Sequence, residues 1–323
     1  MKNRLVFAII AGILELQAGC ILDPIGVRRA PNPQVILQAF LTPDAPADSV
    51  VLRTTIPSEE YYVWIDLAAY AISGANVVIT NRGQAYMLAE RRPGTYGNSS
   101  LIARSGERYD IEVTFPPGHR FEGKRITAHT TVPERIHVSY SLAPSQVVKG
   151  VKSLNDLVFP KQLADPDKFG ITSEDTPFSL SWNKSAYAEG CIVGTSAVDT
   201  SGTGLLRTRS FNEWKDGNMA DPSVRQYHKK MGYVVMPDSL QADIYWLLFM
   251  FGGAYDVAVI AADTAYYDYF ASVASGPAGQ SGSDADFGIV SNVKGGTGVF
   301  GSYAADTVRA FIKDDDWLPS EHQ

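Results

Sequence analysis

The clearest alternation of apolar and polar residues in the sequence is Tyr109-Asp110-Ile111-Glu112-Val113-Thr114-Phe115. Its odd-numbered positions are apolar and its even-numbered positions are polar. This is the pattern of a β-strand that lays one face on a core and the other in water. The segment Pro116-Pro117-Gly118 then stops the run, because proline has no backbone N–H to donate to a neighbouring strand. The stretch therefore predicts a half-buried strand.

Similar strand signals lie on both sides of this stretch. Residues 34–41, 49–55 and 126–132 are rich in Val, Ile, Leu and Thr, and residues 75–88 form a hairpin pattern around the turn Asn81-Arg82-Gly83. Turn residues recur about every ten positions, as they do between the short strands of a β-sandwich. We therefore predict a β-sandwich over residues 34–133. Residues 59–70 fit either a strand or an inserted helix.

A second β-rich module is predicted over residues 178–313, after a connector at 134–177. Its strand signals lie at 178–182, 191–198 and 255–260, and the last segment, 307–312, fits a strand or a helix. Asp263 has the position of a helix N-cap. A short helix is expected after it because aromatic and apolar residues follow at helical spacing, namely Tyr266, Tyr267, Phe270 and Val273. We expect this stripe to pack the helix on the sheet, with a ligand platform as the alternative.

The polar excursion at 201–241 is the least regular part of the second module, and an acidic tail is predicted after the module, at 314–323. The excursion contains Phe211, Trp214 and Tyr227. Exposed aromatic side chains in a loop suit contact with a sugar or a protein, so these three are the candidate ligand or partner contacts. The alternative is that they simply anchor the loop.

The N-terminus resembles a bacterial lipoprotein leader. Lys2 and Arg4 precede a charge-free run at 5–14, which is too short to span a bilayer but has the length of a signal-peptide core. Ala-Gly-Cys20 then resembles a lipobox, although Gln17 stands where Leu is usual and Glu15 is an unusual charge. We expect a signal peptide at 1–19, a lipid on Cys20 and a tether at 20–33. An ordinary secretory signal is the alternative.

Composition and motifs limit which partners, metals and catalytic residues the chain could have. The net charge of -7 argues against nucleic acid as a partner, and two cysteines, Cys20 and Cys191, are too few for a disulfide framework or a four-cysteine zinc site. Cys191 is expected to be a buried apolar residue. The five histidines lack metal-pair spacing, and no G-x-S-x-G elbow is present. We therefore predict no metal, no cofactor and no catalytic residue.

The pattern G-x-G-x-x-G at 296–301 has the wrong context for a dinucleotide site, because no βαβ unit surrounds it. We expect a glycine-rich bend that lets two backbones approach closely.

Several motifs, in this order, resemble the bacterial lipoproteins classed as domain of unknown function 4249. They are the opening strand at 35–41, the strand Ser73-Gly74-Ala75-Asn76-Val77-Val78-Ile79, the turns Gly94-Thr95-Tyr96 and Gly106-Glu107-Arg108-Tyr109, Thr131-Val132-Pro133, and Ser291-Asn292-Val293 with the glycines at 296–301. The resemblance covers nearly all of the chain after Cys20. Residues 200–240 match least.

The resemblance implies an outer-membrane lipoprotein that is often associated with TonB-dependent β-barrel transporters. It also implies that the first module is an Ig-like or carboxypeptidase-regulatory-like sandwich. It supplies no catalytic residues.

Three functions follow as hypotheses. The first is a non-enzymatic, lipid-anchored accessory or binding protein of the outer membrane, acting on a transporter or a small solute. The second is a carbohydrate-binding surface lipoprotein that uses Phe211, Trp214 and Tyr227. The third is an envelope hydrolase whose site is assembled between the two modules from distant residues. Ile21, which follows Cys20, favours outer-membrane sorting, and the side of that membrane is left open.

Overall fold

The predicted mainly β fold class is confirmed by a computed structural model that describes residues 33–55, 67–159, 176–198, 230–249, 251–274 and 289–314. These ranges contain fifteen strands and two α-helices. Twelve of the strands belong to one sheet and three to a second sheet. The large sheet runs through an Ig-like sandwich and continues into the second β-rich module.

Seven strands form the first module, and each is antiparallel to the next one in the sheet. They are β1 (Val35–Leu41), β2 (Pro46–Thr54), β3 (Asn76–Asn81), β4 (Gln84–Arg92), β5 (Thr95–Ile102), β6 (Arg108–Thr114) and β7 (Arg125–Thr131). Their order is β1-β2-β5-β4-β3-β6-β7. The stretch at 109–115 is β6, with Tyr109, Ile111 and Val113 buried as their alternation predicts.

The first module encloses one core between the two ends of this strand order. Leu37 and Leu52 from β1 and β2 share a cluster with Ile79, Ile111 and Ile126 from β3, β6 and β7. The predicted hairpin is confirmed as β3 and β4, with Asn81 opposite Gln84. The ambiguous residues at 59–70 end in a short 3₁₀ turn, Leu67–Tyr70, and residues 59–66 lie outside the described ranges.

The second module is also layered. Its strands are β8 (Val138–Leu142), β9 (Leu157–Phe159), β10 (Phe178–Trp182), β11 (Gly190–Ala197), β12 (Lys230–Val235), β13 (Gln241–Ile244), β14 (Gly253–Ala262) and β15 (Thr297–Asp314). The three-stranded sheet β13-β10-β8 shares a core with one face of β12-β11-β14-β15. A helix, α2 (Thr264–Ala274), packs on the opposite face. Two of these elements, β8 and β9, lie in the predicted connector, together with a short helix, α1 (Pro144–Val148).

Strand β15 belongs to both modules. Its first part, Thr297 to Ser302, runs parallel to β1, and the part from Tyr303 to Ile312 pairs antiparallel with β14. The final segment is therefore a strand, of 18 residues, which at ~3.3 Å per residue extends for about 60 Å. Residues 297–302, placed with the second module from sequence, hydrogen-bond to the first strand of the sandwich. One strand thus connects the two cores.

The second module lies beyond the end of the sandwich that is farthest from the chain's entry. Strands β1, β3, β5, β7 and β15 all begin at the end where the described chain enters at Pro33. The connection from β7 to β8 and the second part of β15 leave from the opposite end. The segment before β1 and the second module therefore attach to opposite ends of the sandwich.

Candidate functional site

The residues that sequence reasoning proposed as sites lie outside the described ranges. Cys20, Phe211, Trp214 and Tyr227 are all in this group, so their roles stay predictions. Among the described residues, the densest set of buried polar contacts lies where β7, β15 and the start of α2 meet. We refer to Thr130, Asp263 and Ser302 as the junction cluster.

Asp263 caps α2 and reaches across to β15. Its Oδ1 accepts hydrogen bonds from the backbone N–H of Tyr266 at 2.9 Å and of Ser302 at 3.1 Å. The predicted N-cap is therefore confirmed, because the side chain satisfies a backbone donor of the first helical turn. The backbone N–H of Asp263 donates to the carbonyl of Ser302 at 3.0 Å. Asp263 thus fixes where the helix begins relative to the shared strand.

The hydroxyl groups of the junction cluster bring in the first module. Thr130 Oγ1, on β7, lies 2.5 Å from Asp263 Oδ2 and 2.7 Å from Ser302 Oγ. Ser302 Oγ lies 2.9 Å from the carbonyl oxygen of Thr131. All three cluster residues are buried. Burial raises the pKa of Asp263 above its ordinary value, and its contacts with Thr130 and with nearby backbone N–H groups only partly offset this effect.

Sequence reasoning missed Thr130 and Ser302 as members of a site. A signal was present in β7, where Ile126, Ala128 and Thr130 all occupy buried positions. A polar residue at the third buried position breaks the apolar alternation, and buried hydroxyl groups require hydrogen-bond partners. Those partners come from residues more than 130 positions away in the chain, so the sequence does not indicate which they are.

Asn292 holds the first part of β15 against β7. Its Nδ2 donates to the carbonyl oxygens of His129 and Phe300, at 2.9 and 2.8 Å, and its Oδ1 accepts from the N–H of Phe300 at 3.0 Å. The motif Ser291-Asn292-Val293 therefore acts through this amide, which bridges two strands. Phe300 is fully buried in the core of the first module.

The glycines at 296–301 allow the shared strand to approach its neighbours, as predicted. A Cβ at Gly298, where φ is +111°, would overlap the carbonyl oxygen of Leu37, and one at Gly296 would lie 2.6 Å from the carbonyl oxygen of Val35. A Cβ at Gly301 would lie 2.9 Å from that of Tyr266. The pattern therefore serves backbone packing between β1, β15 and α2.

The aromatic stripe of α2 packs on the sheet, as expected from the sequence. Tyr266 and Phe270 are buried against Ile192 and Ile260. The ring of Tyr266 also lies 4.7 Å from that of Phe40 on β1 and 5.5 Å from that of Tyr303 on β15. Gln38 Nε2 donates to the hydroxyl of Tyr269 at 3.2 Å. These contacts connect the helix to both modules.

Two tyrosines hold loops of the first module in place. They come from the turns Gly94-Thr95-Tyr96 and Gly106-Glu107-Arg108-Tyr109. The hydroxyl of Tyr96 accepts from the N–H of Ala75 and donates to the carbonyl of Ile72, at 3.0 and 2.9 Å. The hydroxyl of Tyr109 accepts from the N–H of Arg104 at 2.9 Å. Burial raises the pKa of both phenols. These motif residues therefore hold loops in place.

The prediction that Cys191 is a buried apolar residue is confirmed. Burial raises the pKa of its thiol to about 11, which makes it a poor nucleophile. Among the described residues no three His, Cys, Asp or Glu side chains are grouped as metal ligands. Within the same ranges, no helix has the length and apolar character needed to cross a membrane.

The junction cluster lies between the modules, where the hydrolase hypothesis places a site. Ser302 and Asp263 are the residue types of a nucleophile and its orienting acid. However, Ser302 is 0% exposed, and its Oγ is already in contact with two protein oxygens, Thr130 Oγ1 and the carbonyl oxygen of Thr131. This cluster cannot reach a substrate, so the geometry gives it a structural role.

Comparison with known proteins places the chain in a family. Residues 24–309 match the family described as "Domain of unknown function (DUF4249)", which is 286 of the 323 residues. The chain belongs to this family. In this DUF4249 member, Asn292 and the glycines at 296–301, which carry part of the resemblance, meet at the junction of the two modules.

Other comparisons give weaker likenesses. No curated protein matches this DUF4249 chain. Among solved structures, it is similar to a two-domain fibronectin type III segment of chicken tenascin, at 13% identity and a TM-score of 0.20, over 71% of this chain and 91% of that one. It is also similar to the FN1–FN3 domains of chicken CNTN1, at 12% identity and a TM-score of 0.24, over 86% and 69% of the two chains.

Proposed function

We propose that this DUF4249 chain is a lipid-anchored accessory or binding protein of the outer membrane, working with a TonB-dependent transporter and without catalysis of its own. The observation that carries the proposal is Cys20, which follows Ala18 and Gly19 after a charged start and an apolar run. A lipid on that sulfur would hold the protein at the membrane. The apolar residue Ile21 after the cysteine supports outer-membrane sorting.

The position of the first strand supports the anchor. Strand β1 begins at Val35, 15 residue steps after Cys20. At ~3.3–3.6 Å per residue, this length lets the sandwich stand up to about 50 Å from the lipid. Because the second module attaches at the far end of the sandwich, the anchored chain would present that module outward, toward a partner.

The anchor is tested by comparing Cys20→Ala with Cys191→Ala in cells supplied with radiolabelled palmitate. We expect Cys191→Ala to keep the label and to sediment with outer-membrane fractions. We expect Cys20→Ala to lose the label and to appear in the soluble fraction. Continued membrane retention of Cys20→Ala would contradict the anchoring, while a labelled protein in the inner membrane would contradict only the sorting.

The partner is tested by purifying the tagged, lipidated chain from its own membrane in mild detergent. A TonB-dependent β-barrel transporter should co-purify in near-equal amount, as measured by mass spectrometry. An unrelated outer-membrane lipoprotein carrying the same tag is the control. A monodisperse protein without a transporter, or equal recovery with the control, would refute the partnership and leave the anchor intact.

A further inference from the structure

The junction cluster has more oxygen–oxygen contacts than its two hydroxyl groups have protons. Three contacts lie within hydrogen-bonding distance, namely Asp263 Oδ2 with Thr130 Oγ1, Thr130 Oγ1 with Ser302 Oγ, and Ser302 Oγ with the carbonyl oxygen of Thr131. Each contact needs one proton between its oxygens. Thr130 and Ser302 supply one proton each, and a carbonyl oxygen supplies none.

A third proton on Asp263 Oδ2 satisfies all three oxygen–oxygen contacts, and the carboxyl group also accepts a hydrogen bond from the backbone N–H of Thr131. The acid O–H then donates to Thr130, the Thr130 hydroxyl donates to Ser302, and the Ser302 hydroxyl donates to the carbonyl of Thr131. Oδ1 remains an acceptor for the N–H groups of Tyr266 and Ser302. With an ionised carboxylate, one contact would instead place two oxygens together in the interior without a hydrogen, which is costly.

We propose that Asp263 is an uncharged carboxylic acid in the folded protein, and that its proton completes a pH-sensitive connection between the two modules. The connection runs from the first turn of α2 through β7 to β15. This inference concerns the junction alone and does not depend on the lipid anchor.

The surroundings of Asp263 contain no compensating cation among the described residues. From α2 and β15 its neighbours are Tyr266 and Tyr303, and burial raises the pKa of both phenols. On β7, His129 alternates with Thr130 and faces solvent. From β1 the neighbour is Phe40, which contacts Tyr266. Burial of a carboxyl group without a cation favours the neutral form.

Two further acids, the exposed Glu189 and the half-buried Asp268, lie near the first turns of α2. Glu189 accepts a hydrogen bond from the hydroxyl of Thr264 at 3.1 Å. Asp268, within the helix, has a pKa raised by partial burial and by Glu189. Neither contributes a positive charge, so neither favours ionisation of Asp263.

The sign of the pH dependence follows from this assignment. Because the pKa of Asp263 is raised in the folded state, the folded protein holds a proton that the unfolded chain releases above pH ~4. The stabilisation is fully present below that pH and is lost as pH rises through the folded pKa. Within that window the unfolding equilibrium constant should rise up to about tenfold per pH unit from this group.

The test compares wild type with Asp263→Asn, whose amide reproduces the proposed acid. Its Nδ2 can donate to Thr130 and its Oδ1 can accept from the backbone, but it does not titrate. We expect urea unfolding of the full chain to show equal stability near pH 4 and a growing advantage for Asp263→Asn as pH rises. Parallel curves at all pH values would overturn the proposal.

A second measurement does not depend on the folding of Asp263→Asn. Infrared spectra of wild type at pH 7 should show the carbonyl stretch of a neutral carboxylic acid. Ser302→Ala removes two of the three contacts and one of the hydroxyl protons. Thr130 is then free to donate to an ionised Asp263, and we expect the band to titrate away at lower pH in that variant. Absence of the band from wild type at pH 7, or an unchanged titration in Ser302→Ala, would refute the neutral acid.

Discussion

Strands β6 and β14 bury their side chains in different ways. In β6, buried residues such as Ile111 alternate with wetter ones such as Glu112, because one face of the strand packs on the sandwich core. In β14, Val259 belongs to the core beneath the three-stranded sheet, while its neighbour Ile260 packs under α2. A strand covered on one face has an alternating sequence, whereas a strand covered on both faces is apolar throughout. Strand β14 is therefore apolar at every position from Val257 to Ala262, where both of its faces are covered.

Gly298→Ala should reduce stability more than any other substitution considered, because it disrupts β15, the strand that joins the two modules. Gly298→Ala places a Cβ against the carbonyl oxygen of Leu37 at a φ of +111°, which backbone movement alone can relieve. We expect the free energy of unfolding to fall by about 4 kcal/mol or more. Urea unfolding followed by tryptophan fluorescence and circular dichroism measures the loss.

Gly83→Ala is the matched control for that experiment. Gly83 also has a positive φ, of +82°, but nothing lies within 4 Å of its missing Cβ. Its substitution should cost about 1 kcal/mol, from backbone strain alone. Equal losses in the two variants would mean that contact between β1 and β15 adds nothing to the conformational cost.

A smaller effect tests whether the two strands respond differently to adjacent substitutions. Ile111→Ala should cost about 2–4 kcal/mol because it leaves a cavity in the first core, and Glu112→Ala should cost below about 1 kcal/mol because its ion pair with Arg125 is exposed. In β14, Val259→Ala and Ile260→Ala should both cost about 2–4 kcal/mol. Chemical unfolding of the four single variants gives the values.

The pattern of the four losses, more than their size, is the informative result. A large loss of stability in Val259→Ala with a small loss in Ile260→Ala would show that α2 contributes little to burial of Ile260. Two large losses in β6 would show that the outer face of the sandwich is covered in solution.

The same difference explains how much of the fold the sequence could predict. In the first module, alternation at 109–115 and the turn at Asn81-Arg82-Gly83 predicted β6 and the β3–β4 hairpin, because local pattern and burial agree there. In the second module the strands were predicted without their neighbours. The parallel pairing of Thr297–Ser302 with β1 joins residues about 260 positions apart, and no local pattern encodes that contact.

The residues of the candidate site also differ in whether local sequence could predict them. The N-cap at Asp263 and the close backbone approach at the glycines of 296–301 follow from residue types at short spacing, although residues 297–301 form the start of β15 and not the predicted bend. The junction cluster does not, because Thr130 joins it from β7, far along the chain. The roles of four residues outside the described ranges stay predictions, namely those of Cys20, Phe211, Trp214 and Tyr227.

The reactivity of the Cys191 thiol tests whether β11 is buried. This probe should change the stability of the folded protein least. Cys191 lies in β11, in a strand that is buried at seven of its eight positions. The pKa of its thiol is raised from 9.0 to about 11, so the thiolate fraction at pH 8 falls about a hundredfold. In a Cys20→Ala background, we expect Cys191 to react with a neutral thiol reagent at least about a hundredfold more slowly than a cysteine placed by Glu112→Cys on the wet face of β6.

The two thiols should respond differently to solution conditions. Raising the pH toward 11 should accelerate modification of Cys191 about tenfold per unit, because each unit exposes ten times more thiolate. The Glu112→Cys thiol should approach its maximal rate at lower pH. In urea above the unfolding midpoint, the two rates should converge, since burial alone separates them. If instead both cysteines of the folded protein react at the same rate, β11 opens readily, and its apolar run Cys191-Ile192-Val193 does not reflect stable coverage of both faces of the strand.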